Sequence, residues 1–189
     1  YVEYPAYLAI NSDGSVVVIV SIVSGVGENS CESCPWELTV YRQATGETTQ
    51  IATGVTGNKF NPGISDDGRY VVFENQPGDF SAPTYSYLYD LQDEVLTPLG
   101  GGAAADSPAI SGDGRYIVYS DTSSVPTKLK LLERGTVNES VIPELSGGET
   151  QDGISEFASL SQDGRYIGFL TTASNLVTND TNGTDDIFI

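Results

Sequence analysis

Histidine is absent from this chain of 189 residues, and so is methionine; cysteine occurs twice, tryptophan once, and lysine and arginine together eight times. Without an imidazole there is no Ser-His-Asp or Cys-His nucleophile, no His-ligated zinc and no histidine pH switch. An enzyme built from this composition is left with carboxylate, tyrosine or metal–oxygen chemistry. The scarcity of basic residues, set against 26 acidic ones, gives a net charge of −18. Such a surface repels phosphate backbones and anionic bilayers, so nucleic acid and membrane surfaces are excluded as expected partners, while cations are attracted. No apolar run approaches the roughly 18 residues of a membrane-spanning helix. The longest, residues 16–23, is interrupted by Ser21, and no membrane insertion is expected. A chain that lacks methionine and begins at Tyr1 is expected to have lost an upstream segment, by signal-peptide cleavage or by excision from a longer polypeptide.

What the chain does have is turns. Glycine (21), proline (9) and 10% aromatics suit an all-β protein. One motif is written three times: Ser65-Asp66-Asp67-Gly68-Arg69-Tyr70-Val71-Val72-Phe73, Ser111-Gly112-Asp113-Gly114-Arg115-Tyr116-Ile117-Val118-Tyr119, and Ser161-Gln162-Asp163-Gly164-Arg165-Tyr166-Ile167-Gly168-Phe169. A degenerate copy, Asn11-Ser12-Asp13-Gly14-Ser15-Val16-Val17-Val18-Ile19, precedes them. Asp-Gly between apolar runs signals a hairpin, and a type I′ turn is the expectation. The turn aspartates fall at 13, 67, 113 and 163, a spacing of 54, 46 and 50 residues. Repetition at about 40 to 50 residues with several strands per unit marks propeller blades. The run Tyr116-Ile117-Val118-Tyr119 is apolar on both sides, as in a sheet covered on both faces. A third strand follows in each unit (Glu37 to Tyr41, Ser86 to Asp90, Lys128 to Leu132, Asp186 to Ile189), and a fourth in the first three (Thr48 to Ile51, Glu94 to Thr97, Ser140 to Pro143). The expected fold is an all-β propeller of four four-stranded blades, at approximately 6–52, 60–99, 106–145 and 156–189, with residues 1–4 as a spare strand.

Ser-x-Asp-Gly-Arg-Tyr-Ile-x-Phe, with an aromatic third strand and the Thr45-Gly46 turn, resembles the TolB-like β-propeller repeats, WD40-like in architecture. The fourth unit looks like bacterial secreted or surface versions, through Ser174-Asn175-Leu176-Val177, Asp180-Thr181-Asn182-Gly183 and Asp185-Asp186-Ile187-Phe188-Ile189. The resemblance implies a fold and leaves function open, because propellers host scaffolds, binders and enzymes alike.

Recurrence assigns Arg69, Arg115 and Arg165 to structure, each satisfying an Asp or a carbonyl of its own blade's turn. The repeat Ser and Asp residues are expected to close their turns through local backbone bonds. Because the fourth unit stops after its third strand, Ile187, Phe188 and Ile189 form an uncovered edge, which needs an occupant. Three closures are open. Tyr1, Val2, Glu3 and Tyr4 complete a four-blade ring in cis; the chain belongs to a ring of about six to eight blades; or that segment pairs with a neighbouring copy, giving a homo-oligomer or filament.

Asp180, Asn182, Thr184, Asp185 and Asp186 place oxygens around a glycine and form a candidate calcium loop; an Asx-rich turn has the same composition. No other cofactor is expected. Cys31 and Cys34 stand in the matching long loop of the first unit, Trp36 following Asp13 by 23 residues as Asp186 follows Asp163. A structural disulfide is the leading reading, contributing about 2 kcal/mol in the chain-entropy model; a redox pair and a zinc site are the alternatives. Asn138, Asn179 and Asn182 head acceptor sequons, relevant in a source that glycosylates. Tyr85, Tyr87 and Tyr89, near Phe80, Asp79 and Asp90, form a candidate sugar-binding patch, or one strand face packed on the next blade. Asp106, Asp152 and Glu156 precede first strands and are the candidate channel acids.

These features together suggest a non-catalytic propeller module, extracellular, cell-surface or periplasmic, acting as a structural or binding platform for protein or glycan. The runner-up is a carboxylate glycosidase or a carbohydrate-binding domain.

Overall fold

The computed structural model describes residues 2–24, 36–51, 53–78, 81–136, 139–143, 151–177, 182 and 184–189. Among the described residues, fifteen strands form four antiparallel sheets. The first sheet is β1 (Val2–Ile10), β2 (Val16–Ser24), β3 (Trp36–Arg42) and β4 (Glu47–Gln50). The second is β5 (Asn58–Ile64), β6 (Tyr70–Gln76), β7 (Tyr85–Asp90) and β8 (Val95–Pro98). The third is β9 (Ala105–Ile110), β10 (Tyr116–Asp121), β11 (Lys128–Glu133) and β12 (Glu139–Ile142). The fourth has three strands, β13 (Ser155–Leu160), β14 (Ile167–Thr171) and β15 (Asp186–Phe188). Each sheet is a meander whose strands pair in chain order, the arrangement of a propeller blade.

The apolar second strands explain why the sheets stack. Successive side chains on a strand face opposite ways, and both directions are used. Val71 and Phe73 meet Val16, Val18, Val20, Leu38 and Val40 of the first blade. Tyr70, Val72 and Leu88 turn the other way, onto Ala105, Ile117 and Tyr119 of the third. Val118 and Leu129 then meet Ala158 and Phe169 of the fourth. Three core clusters are therefore three seams between consecutive blades. Among the described residues no core cluster joins the first blade to the fourth.

The hairpin turns differ from the type I′ expectation. Of their residues only the glycine has positive φ (Gly68 at +70°), and its N–H donates to Ser65 O at 2.9 Å. A type I′ turn needs two such residues. The preference is overridden by side chains: Ser65 Oγ donates to Asp67 Oδ1 (2.6 Å) and accepts from Tyr70 N–H (3.0 Å), while Asp67 Oδ1 accepts from Arg69 N–H (3.0 Å). The same set recurs at Ser111, Asp113 and Tyr116, and at Ser161, Asp163 and Tyr166. Neighbouring turns are also tied by backbone, Asp66 N–H to Gly112 O (2.7 Å) and Asp113 N–H to Gln162 O (2.8 Å).

A second correction concerns the N-terminus. Val2, Glu3 and Tyr4 are not a spare strand: they pair with Ser24, Val23 and Ile22 as the start of β1. Pro5 interrupts the β-pattern there, but β1 is an edge strand, where a missing N–H is tolerated, and the register shifts beside it. Tyr1 lies outside the described residues.

Candidate functional site

The first strands of all four blades converge. Leu8 and Ile10 of β1, Ile64 of β5, Ile110 of β9 and Leu160 of β13 line one cavity of about 490 Å³. Its wall mixes these apolar side chains with Tyr7, Asn61 and Ser159, and carries Pro62 and Pro108 where an edge strand can spare an N–H. No carboxylate lines it among the described residues.

Each first strand has a register shift near its start, and in β5, β9 and β13 it centres on a residue with positive φ: Asn61 (44°), Ser107 (49°) and Phe157 (52°). Bulges with a left-handed residue are usually built on glycine, so these three conformations are costly. They re-aim the backbone, and Glu74 of β6 uses the result. Its Oε1 accepts from Ser107 N–H (2.7 Å) in the next blade and from Asn61 Nδ2 (2.8 Å) in its own.

Glu74 begins a line of interacting carboxylates. Burial pushes it above the ordinary carboxylate range, the two donors oppose this, and the Asp106 charge adds to it. Burial likewise raises Asp106. Glu156 is raised by burial and then by Asp106 and Asp185. Of the candidate channel acids, Asp106 therefore acts on Glu156. Asp152 does not belong with them: it accepts from Ser174 Oγ (2.6 Å), Ser174 N–H (2.8 Å) and Asn175 N–H (3.3 Å), which staples a loop. Glu74 escaped sequence reasoning; the signal was a lone carboxylate directly after the apolar run Val71-Val72-Phe73. Lys59 was also missed. Its buried ammonium donates to Trp36 O (3.2 Å), Val55 O (3.2 Å) and Gly57 O (3.4 Å), pinning the link between the first two blades.

The aromatic patch is packing. Tyr89 is buried and Tyr87 partly buried against the first blade's core, with Tyr87 stacked on Phe73 at 5.6 Å between centroids. A sugar-binding face needs these rings exposed, and period-two alternation has instead aimed both at the seam. Tyr85 is half-buried farther along the strand. Arg69 pairs with Asp90 and Asp93, each at 2.7 Å, and Arg115 with Glu133 at 2.7 Å. Arg69 thus pairs with Asp90 at the end of β7 and Asp93 in the turn after it, and Arg115 with Glu133 at the end of β11, rather than with the turn aspartates.

In the candidate calcium loop, Asn182 Oδ1 accepts from Thr184 N–H (3.1 Å), and its Nδ2 donates to Asp186 Oδ1 (3.0 Å). Asp180 lies outside the described residues. So do Cys31, Cys34, Asp79, Phe80, Asn138 and Asn179. Among the described residues β15 pairs with β14 alone; Ile187 is 79% exposed and Ile189 is 90% exposed. No helix among the described residues is long and apolar enough to cross a membrane.

Four meander sheets stacked in series, their first strands around one cavity, define a β-propeller architecture. No family model matches the chain, and no curated protein matches it. Solved structures do. TolB from Acinetobacter baumannii superposes with a TM-score of 0.60 at 14% identity, over 92% of this chain and 39% of that one. An oligogalacturonate lyase in complex with manganese gives 0.59 at 15% identity, over 97% and 52%. The β-propeller domain of the Trilobed protease from Pyrococcus furiosus, described as an open velcro topology, gives 0.60 at 12%, over 99% and 57%. At these identities the likeness shows the fold, a TolB-like propeller. The chain spans about 39% to 57% of the length of these structures.

Proposed function

We propose that this propeller is a non-catalytic binding platform, working outside the cytoplasm, that holds an extended segment of a protein partner along its first strands. The observation carrying this reading is the cavity. Its wall offers apolar side chains from four blades and no acid or base, which suits an anchoring side chain better than bond cleavage. The net charge of −18 would draw in basic flanking residues and speed their encounter. A glycan would gain less, since Tyr87 and Tyr89 are committed to a seam. The test is calorimetric titration with peptides that combine one bulky apolar residue with flanking lysines. Binding should weaken about tenfold in Leu8→Asp, an exposed wall position, and fall with added salt. Equal affinity for wild type and variant would overturn the reading.

A carboxylate hydrolase is the second reading, favoured by the effect of the Asp106 charge on Glu156. Turnover of an oligosaccharide that disappears in both Asp106→Asn and Glu156→Gln would establish it. Calcium at Asp180, Asn182, Thr184, Asp185 and Asp186 belongs to the proposal as a brace for the last strand. Added Ca²⁺ should then raise the melting temperature and a chelator reverse it; no shift would remove calcium.

A further inference from the structure

One tier of the inner strands is split between two chemistries. Val20, Glu74, Ser120 and Leu170 occupy one place in the four second strands, each four residues after the residue that leaves the hairpin turn. Opposite them on the first strands stand Tyr7 and Phe60 in the first two blades. In the third and fourth blades the same place is held by Asp106 and Glu156. All four are partly buried.

The first two blades make the aromatic half. Phe60 meets Tyr7 edge-on at 5.7 Å between ring centroids and Trp36 at 5.3 Å, and Tyr7 also lines the cavity. The acidic half has no counter-charge. The Asp106 charge acts on Glu74 and on Glu156, and among the described residues no ion pair reaches any of the three. Lys59, next to Phe60 in the sequence, spends its ammonium on three carbonyls. A hydroxyl is left over as well. Ser86, the register partner of Glu74, is 1% exposed, and its Oγ has no hydrogen-bond partner among the described residues. Partners across a strand pair share a face, so this oxygen stands on the Glu74 side of the sheet, where a buried polar atom calls for a partner.

We propose that this tier seats an arginine side chain of the extended partner segment, with its guanidinium between the rings of the first two blades and the carboxylates of Asp106 and Glu156. A guanidinium stacks on ring faces and forks onto carboxylates, whereas an ammonium is a compact, strongly hydrated point charge. A metal ion fits worse. The aromatic half offers it no carboxylate, and among the described residues no three acids converge to hold one. The seat rests on the platform reading for its occupant and gives that occupant a direction. Glu74 and Val71, the partners of Phe60 and of Ile64 in the cavity wall, are three residues apart on β6, about 10 Å at strand spacing. A segment with an apolar side chain in the cavity therefore carries its arginine about three residues away, toward the start of the first strands.

Trp36 is the only tryptophan, so its fluorescence reports on the tier without any peptide. Acetyl-arginine amide, titrated at constant ionic strength, should change that fluorescence saturably. Acetyl-citrulline amide, neutral and of nearly the same shape, should not, and acetyl-lysine amide should bind several-fold more weakly. Asp106→Asn and Glu156→Gln should each weaken the arginine probe about tenfold, with an unchanged circular dichroism spectrum. Glu47→Gln, which removes an exposed acid of β4, should change it by less than about twofold, because a distant surface charge is screened. Equal responses to arginine and citrulline, or to arginine and lysine, would overturn the proposal. So would an arginine affinity unchanged in both acid variants. The probe has no apolar anchor, so these outcomes stand apart from the platform reading, which fails when the apolar peptides bind Leu8→Asp as well as wild type.

Discussion

Ser111 shows how much one small side chain carries. Its hydroxyl, fully buried, donates to Asp113 and accepts from Tyr116 N–H at 2.9 Å, so one oxygen closes both halves of the turn. Ser111→Ala leaves that N–H without its acceptor, at a cost of about 1–3 kcal/mol. Urea unfolding should show this as a lower midpoint with an unchanged slope. Ser161→Ala removes the same two bonds where the fourth blade exposes them, so water compensates and the loss should be smaller. Equal losses at both sites would contradict the assignment. These residues were legible in the sequence because their reasons are local: Ser, Asp and Gly within four positions answer to turn chemistry alone. Glu74 was not legible, because the donor that engages it, Ser107 N–H, is 33 residues away in another blade.

At the scale of strands, the carboxylates divide into two groups that titrate against each other. Asp90, at the end of β7, is held down at about 2, chiefly by its hydrogen bonds from Arg69. Its contribution is present above the unfolded carboxylate value near pH 4 and is lost as pH falls toward 2. Glu74, Asp106 and Glu156 are raised. Their contribution is complete below about pH 4 and is lost as pH rises through their folded values. Stability measured by denaturant should therefore pass through a maximum in mildly acidic solution. Glu74→Gln should flatten the limb above that maximum, and Asp90→Asn the limb below it. A profile unchanged by either substitution would show that these groups do not govern it. Strand patterning also explains why the aromatic patch had two readings. Tyr85, Tyr87 and Tyr89 alternate identically whether one face meets a sugar or a neighbouring sheet, and only the stacking of blades decides. The expectation of a spare strand at Val2 to Tyr4 failed for a local reason, since Pro5 breaks a pattern that an edge strand can nevertheless continue.

For the whole molecule, four Asp-Gly turns at a near-constant interval were enough to read the number of blades and their order. How the two outer faces are satisfied was not legible, because that depends on what lies beyond each end blade, not on any residue's own neighbours. The serial seams have a mechanical consequence. Since each sheet is buttressed only by the one before and the one after, cooperativity runs along a line, as in a nearest-neighbour chain. Pulled from its ends in an optical trap, a single monomer should lengthen in steps of roughly one blade. The fourth, with three strands among the described residues, should peel first; one abrupt extension of the entire chain would mean that the seams are stronger than the sheets they join.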